Sequence, residues 1–298
     1  MRIVILGAGG RLGAALMRVY RKKFEVASLN HAELDLAKPD EIHRKIGGLE
    51  FDILINAAAY TNVDRCETEK DQAFAINADA PRLLGEVCRD KNAKLIHIST
   101  DYVFDGGKRQ PYTEEDAANP ISVYGESKGA GERFVLQASD RHVVVRVSWV
   151  FGPDRPSFID AMIKRARENE KIEAIGDKWS TPTYTSDIAE LLPRVFDVDA
   201  GIVHLANGGQ CTWQEYAQHA LDCCREAGVP LKAKTVRALK LADMTRPHEG
   251  SGGQANWVAR RPVYSVLSTV KYRALSGIEP RSWRDAVTDY IERSYSKK

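Results

Sequence analysis

Met1-Arg2-Ile3-Val4-Ile5-Leu6-Gly7-Ala8-Gly9-Gly10-Arg11-Leu12-Gly13 decides the fold. Residues 2–6 form an apolar run of strand length that stops at Gly7, the pattern of a strand buried on both faces. The glycines at 7, 10 and 13 follow at once in the spacing G-x-x-G-x-x-G. Arg11–Lys22 comes next, with Leu12, Leu16 and Val19 at helical spacing. Strand, glycine turn, then helix is the context in which such a motif has meaning. Backbone N–H groups can approach a pyrophosphate at the helix N-terminus, and the third glycine lets helix and strand pack closely.

Outward from this unit the alternation continues. Glu25–Leu29, Asp52–Asn56, Lys94–Ser99 and His142–Ser148 read as buried strands, and Ala73–Arg89 reads as a helix between two of them. The order implies a parallel sheet covered on both faces, with its ligand beyond the carboxyl ends of the strands. Phe158–Arg167, Asp187–Phe196, Trp213–Ala227 and Trp283–Ser294 read as helices and Ile202–Ala206 as one more strand. The expected architecture is α/β: a Rossmann-type doubly wound parallel sheet with a smaller C-terminal substrate-binding lobe. Residues 1–152 form the dinucleotide-binding part. Residues 153–298 form mainly the lobe, with 182–206 returning to the sheet. The polar stretch between Leu239 and Pro262, with its glycine-rich insert at 248–255, reads as a loop or lid.

Composition excludes several functions. The net charge of the 298 residues is +2, with basic side chains scattered, so nucleic acid is not expected as a partner. No apolar run is long enough to span a bilayer, and the N-terminal run is too short for a secretory signal. The five cysteines (Cys66, Cys88, Cys211, Cys223 and Cys224) are odd in number and lack metal-ligand spacing. They are expected to be reduced thiols in a cytoplasmic protein, without metal.

Chemistry enters with Tyr124-Gly125-Glu126-Ser127-Lys128, which follows the helix lead-in Asn119-Pro120. Residues i and i+4 share a helix face, and a cation one turn away favours the phenolate. A tyrosine so placed can give a proton to an alkoxide. The strand Leu95–Ser99 runs into Thr100-Asp101-Tyr102-Val103-Phe104, which puts the Thr100 hydroxyl at a strand end facing the same crevice. Asn56-Ala57-Ala58-Ala59-Tyr60-Thr61 supplies small residues after another strand, suited to close approach of a cofactor or to tight packing. Near the end of the second strand Asn30 is neutral, and Arg11 could reach a phosphate. This favours NADP(H), with NAD(H) as a second option.

With GAGGRLG at 7–13, NAAAYTNVD at 56–64, STDYVFDG at 99–106, YGESKGAGE at 124–132 and RVSWVFG at 146–152, the chain resembles the extended short-chain dehydrogenases. PTYTSDIA at 182–189 and RRPVYSVL at 260–267 carry the likeness into the second half. Within that group it is similar to the dTDP-4-dehydrorhamnose reductase family. The resemblance implies NADPH-dependent reduction of the C4 keto group of a nucleotide-linked 4-keto-6-deoxysugar. Tyr124 would be the proton donor, with Lys128 tuning it and holding the nicotinamide ribose, and with Thr100 beside them. Gly7, Gly10, Arg11, Leu12, Asp35, Leu36, Ala59, Tyr60 and Thr61 would contact the cofactor. Thr100 and Asp101 would lie against the sugar. Trp149 would border it, so that truncating Trp149 costs substrate affinity rather than stability. A homodimer is the expected assembly. The chain departs from the family pattern in two places. The glutamate through which some members bind Mg²⁺ is Ala15 here, so no metal is expected. The pattern D-Q-x-G-x-P-T is here Asp177-Lys178-Trp179-Ser180-Thr181-Pro182-Thr183. A 4,6-dehydratase would need a carboxylate where Tyr102 stands. A C4 epimerase uses the same tyrosine and lysine, and a non-catalytic subunit like the methionine adenosyltransferase beta subunit has the same scaffold. Both remain alternatives.

Overall fold

The computed structural model describes residues 1–245 and 257–296. The insert at 248–255, read above as a lid, lies outside them. The first half runs β1 (Arg2–Leu6), α1 (Arg11–Tyr20), β2 (Glu25–Leu29), α2 (Pro39–Gly47), β3 (Ile53–Asn56), α3 (Val63–Thr68), α4 (Lys70–Phe74), α5 (Ala80–Asp90), β4 (Lys94–Thr100), α6 (Val123–Ala138) and β5 (Val143–Val147). The second half runs β6 (Val150–Phe151), α7 (Phe158–Glu168), β7 (Ile172–Ile175), β8 (Trp179–Ser180), β9 (Thr183–Tyr184), α8 (Thr185–Leu191), β10 (Gly201–His204), β11 (Cys211–Thr212), α9 (Trp213–Glu226), β12 (Val236–Leu239), α10 (Val270–Ser276) and α11 (Trp283–Tyr295).

Six strands form one parallel sheet in the order β10-β5-β4-β3-β1-β2. The chain leaves β1 toward β2, then crosses back to β3 on the other side of β1. That reversal opens a crevice at the carboxyl ends of β1 and β3. Alternate residues feed two cores. Ile3, Ile5, Ile53, Ile55, Ile96 and Ile98 face α1 and α8. Val4, Leu6, Leu54, Leu95 and Val144 face α2 and α5. Burial on both faces explains why these strands read as unbroken apolar runs. The last expected strand, placed at 202–206, is observed as β10 and pairs with β5.

Beyond the sheet, α7, α9 and α11 bury Phe151, Tyr216, Trp283 and Tyr290 in a third core. Three features differ from the sequence expectation. The helix expected over 73–89 breaks at a π-turn over Ala75–Asp79. The helix expected over 187–196 starts at Thr185 and tightens into a 3₁₀ turn over Leu192–Val195, where Pro193 removes an N–H donor. The parallel pair β7–β12 was not legible, because each short strand is interrupted by a charged residue, Glu173 in one and Arg237 in the other. All five cysteines are buried free thiols. Among the described residues no helix is long and apolar enough to cross a membrane.

Candidate active site

The glycine loop sits at the β1/β3 reversal, packed against the loop that follows β3. Gly7 has φ +76°, and a Cβ there would lie 2.8 Å from the Ala58 Cα. A Cβ on Gly13 would lie 2.1 Å from the Gly7 carbonyl oxygen. Gly7 and Gly13 are therefore required by backbone contact alone. The turn also leaves the first N–H groups of α1, at Arg11 and Leu12, without intrahelical partners. An open, glycine-lined helix N-terminus at the strand reversal fits a dinucleotide pyrophosphate.

The proposed chemistry lies at the carboxyl end of β4. Ser122 caps α6 by accepting from the Gly125 N–H at 3.2 Å, which places Tyr124 in its first turn. The Thr100 hydroxyl is turned toward the Tyr124 phenol and favours the phenolate. Burial outweighs it and the nearby Asp101 carboxylate opposes it, so the phenol is held above its ordinary range. Thr100 donates to Asp101 Oδ1 at 3.1 Å and accepts from the Tyr102 N–H at 3.1 Å. Asp101 Oδ2 accepts from Ser148 at 3.1 Å. Burial raises the Asp101 carboxyl above the usual carboxylate range. Tyr102 meets the Tyr124 ring edge-on, centroids 5.8 Å apart.

Lys128 shares the helix face of Tyr124, but its ammonium is directed at the sheet. It donates to the Ile98 carbonyl at 2.7 Å and lies 3.2 Å from His97 Nε2. Burial lowers it to about 8, against the pull of Glu132. The direct tuning of Tyr124 by Lys128 expected from sequence is not what dominates the phenol here; burial is.

Arg11 is corrected. Its guanidinium donates to the carbonyls of Val150, Arg155 and Pro156 at 3.2, 3.2 and 2.6 Å. The side chain therefore staples the β6–α7 loop to α1. Arg155 lies against the glycine loop. Its Nε donates to the Gly9 carbonyl at 2.6 Å. A Cβ placed on Gly9 would lie 3.8 Å from the Arg155 guanidinium and 3.9 Å from the Asn30 Cβ. Asn30 itself accepts from the Ala32 N–H, and Glu33 folds back onto the Asn30 N–H.

The remaining expected residues are dispersed around this crevice. Asp35 accepts from the Ala37 N–H, and the Leu36 side chain is buried in the second core. Ala59 is half-buried and Thr61 exposed. Tyr60 turns its hydroxyl to Glu69. Trp149, at φ 41°, joins Arg11, Phe158 and Tyr216 around a cavity of about 140 Å³.

Sequence reasoning missed the residues that hold these together. Asn77, in the π-turn, accepts from the Tyr60 N–H at 2.8 Å and donates to Ser127 on α6 at 3.1 Å. A Cβ on Gly131 would lie 2.2 Å from the Asn77 carbonyl, which explains that glycine and the irregular turn together. His97 lies between Lys128 and Asn56, 3.2 Å from each. Glu132 pairs with Arg146.

Residues 1–296 match the family described as the RmlD substrate binding domain. The spore coat polysaccharide biosynthesis protein SpsK of Bacillus subtilis is 33% identical over 98% of this chain and 97% of its own. A dTDP-4-dehydrorhamnose reductase of Aggregatibacter actinomycetemcomitans is 33% identical over 96% and 97%. The crystal structure of dTDP-4-dehydrorhamnose reductase from Bacillus anthracis in complex with NADP superposes with a TM-score of 0.89 at 28% identity, over 98% of this chain and 99% of that one. A UDP-galactose 4-epimerase, at 21% identity and a TM-score of 0.76, shares the fold. A match over nearly the whole length, on a crevice with this arrangement, leads to one conclusion: the chain belongs to the RmlD substrate-binding-domain family of extended short-chain dehydrogenases.

Proposed function

We propose that this chain reduces the C4 carbonyl of a nucleotide-linked 4-keto-6-deoxysugar, as in the formation of dTDP-L-rhamnose, with NADPH as reductant. The observation that carries the reading is the half-buried Tyr124 phenol beside Thr100 at the end of β4, next to the glycine cradle. When bound, the dinucleotide supplies the hydride that adds to C4. Tyr124 gives its Oη proton to the C4 oxygen, and the raised phenol pKa keeps that proton in place at neutral pH. Thr100 and Asp101 orient the carbonyl. The backbone of residues 7–12 and 59–61 seats the cofactor, and Lys128 steadies the charge that develops near Tyr124. In this reading residues 1–152 hold the cofactor, the later elements hold the sugar, and residues 182–206 rejoin the sheet. The protein acts in the cytoplasm as a homodimer, which light scattering tests. The epimerase likeness extends to the fold alone.

The test is turnover of NADPH with nucleotide 4-keto-6-deoxysugars and identification of the product. Tyr124→Phe should lower kcat by ~10²–10⁴ while sparing cofactor binding. Near-normal turnover in that variant, or none in the wild type with any such sugar, rejects the proposal.

A further inference from the structure

Lys178 lies on the turn between β7 and β8 and is fully buried. An ammonium has three N–H donors, and burying it without partners is costly. Among the described residues Lys178 Nζ makes one hydrogen bond, to Ser180 Oγ at 3.3 Å. It otherwise faces the rings of Tyr102 and Trp213, 5.3 and 5.8 Å from their centroids. The anion that acts on it, Asp101, already accepts from Ser148, Thr100 and Ser265. Arg261, the other cation nearby, is paired with Asp64. Lys178 therefore has donor capacity that the described residues do not fill.

A second donor at the same wall is in the same condition. The Trp213 indole Nε1 is buried without a hydrogen-bond partner among the described residues. Its ring stacks on Trp149 with centroids 4.9 Å apart, and Trp257 meets it edge-on at 5.4 Å. Tyr102 then links this wall to Tyr124. Two unfilled donors, set in an aromatic surround one ring away from the proton donor, describe a place for a ligand rich in oxygen acceptors. A polyhydroxylated ring packed on aromatic faces meets that description. A purely structural lysine would gain by ending on Asp101 at close range or by reaching solvent, and Lys178 does neither.

We propose that Lys178 and the Trp213 indole N–H bind oxygen substituents of the sugar ring other than the C4 carbonyl, and that Lys178 is the specificity-determining residue of this site. The inference rests on the reductase reading above. Lys178 replaces the neutral glutamine of the D-Q-x-G-x-P-T pattern. A full positive charge there strengthens the bond to a sugar oxygen and raises the penalty when that oxygen is missing.

The experiment compares a nucleotide 4-keto-6-deoxysugar with its 2-deoxy and 3-deoxy analogues, in the wild type and in Lys178→Met, Lys178→Gln and Trp213→Phe. The wild type should prefer the fully hydroxylated sugar by roughly tenfold or more in kcat/KM. Lys178→Met should lose most of that preference through KM, with NADPH affinity held. Trp213→Phe should weaken it in the same direction. A preference that survives in Lys178→Met overturns the proposal, as does a fall in thermal stability with discrimination intact. If Lys178→Met does not fold, the same comparison is read in Lys178→Gln and Trp213→Phe. If the wild type reduces none of these sugars, the reductase reading fails. Calorimetric binding of the reduced nucleotide sugar to wild type and variants then decides the role of Lys178 separately, and equal affinities reject it.

Discussion

Glu132 and Arg146 form a doubly hydrogen-bonded ion pair shielded from solvent. Arg146 donates from Nε and from its terminal nitrogen to the two carboxylate oxygens at 2.9 and 2.7 Å, and both residues are buried. Ser99 donates to the same carboxylate at 2.5 Å, and the guanidinium lies over the Phe104 ring at 4.9 Å. The pair ties α6 to β4 and β5, the two strands whose ends surround Tyr124. Removing one partner leaves an uncompensated buried charge, so Glu132→Ala should cost about 3–5 kcal/mol in urea unfolding. Replacing both partners by apolar residues of similar volume should recover much of that loss. A cost below about 1 kcal/mol, the level of an exposed pair, would show that the pair does not anchor the helix.

Trp149 joins two roles that the sequence had set against each other. It is half-buried, with ring centroids 4.9 Å from Trp213, 5.1 Å from Phe158 and 4.8 Å from Tyr216. That packing revises the expectation that its loss would spare stability. Trp149→Ala should now destabilise by about 3–5 kcal/mol as well as raise KM for the sugar nucleotide. Trp149→Phe keeps part of the packing and separates the two effects. A normal KM in the phenylalanine variant, together with a lowered melting temperature, would leave Trp149 a packing residue only.

The glycine loop offers a third test. Arg11 is occupied by three carbonyls, whereas Arg155 is exposed beside Gly9 and Asn30. Arg155→Ala should weaken NADPH binding more than NADH binding, since only the former carries a 2′-phosphate for a guanidinium to meet. Arg11→Ala should weaken both alike by releasing the β6–α7 loop. Titration of the two cofactors into each variant checks this. An unchanged NADPH-to-NADH ratio in Arg155→Ala would rule out the phosphate role.

Some of this was legible in sequence, for a physical reason. The glycine loop and Tyr124–Lys128 are short-range patterns, set by a turn that needs Gly7 and by a helix face. The partners that hold the site were not legible because they are joined across the chain. Asn77 reaches Ser127, and His97 reaches Lys128, through contacts that exist only once the sheet and α6 have docked. Glycines inside α6 had a cause that sequence could not show. A Cβ on Gly125 would lie 2.2 Å from the Tyr102 carbonyl, so the helix needs glycine to sit close to the substrate-side turn. The Arg11 guanidinium shows the same limit: its contacts to the carbonyls of Val150, Arg155 and Pro156 are long-range and leave no mark in the glycine motif.

The pH dependence of the reaction follows from Tyr124, Lys128 and Lys178. Burial holds Tyr124 well above its ordinary range, so the acid stays protonated through neutral and mildly basic pH. Burial lowers Lys128 and Lys178 to about 8 each. Both are therefore charged below about pH 8 and become neutral above it. His97 is held well below its ordinary range and stays neutral throughout. If the Lys128 charge steadies the developing alkoxide, kcat/KM should be full below that point and fall as pH rises through about 8, with no acidic limb from these groups. Because two lysines titrate together, the limb has two candidate owners. Lys178→Met separates them: a limb that persists near the same pH belongs to Lys128, and one that vanishes belongs to Lys178. A profile flat across that range in the wild type would show that neither charge is needed, and Lys128 would then serve to position the cofactor rather than to stabilise charge.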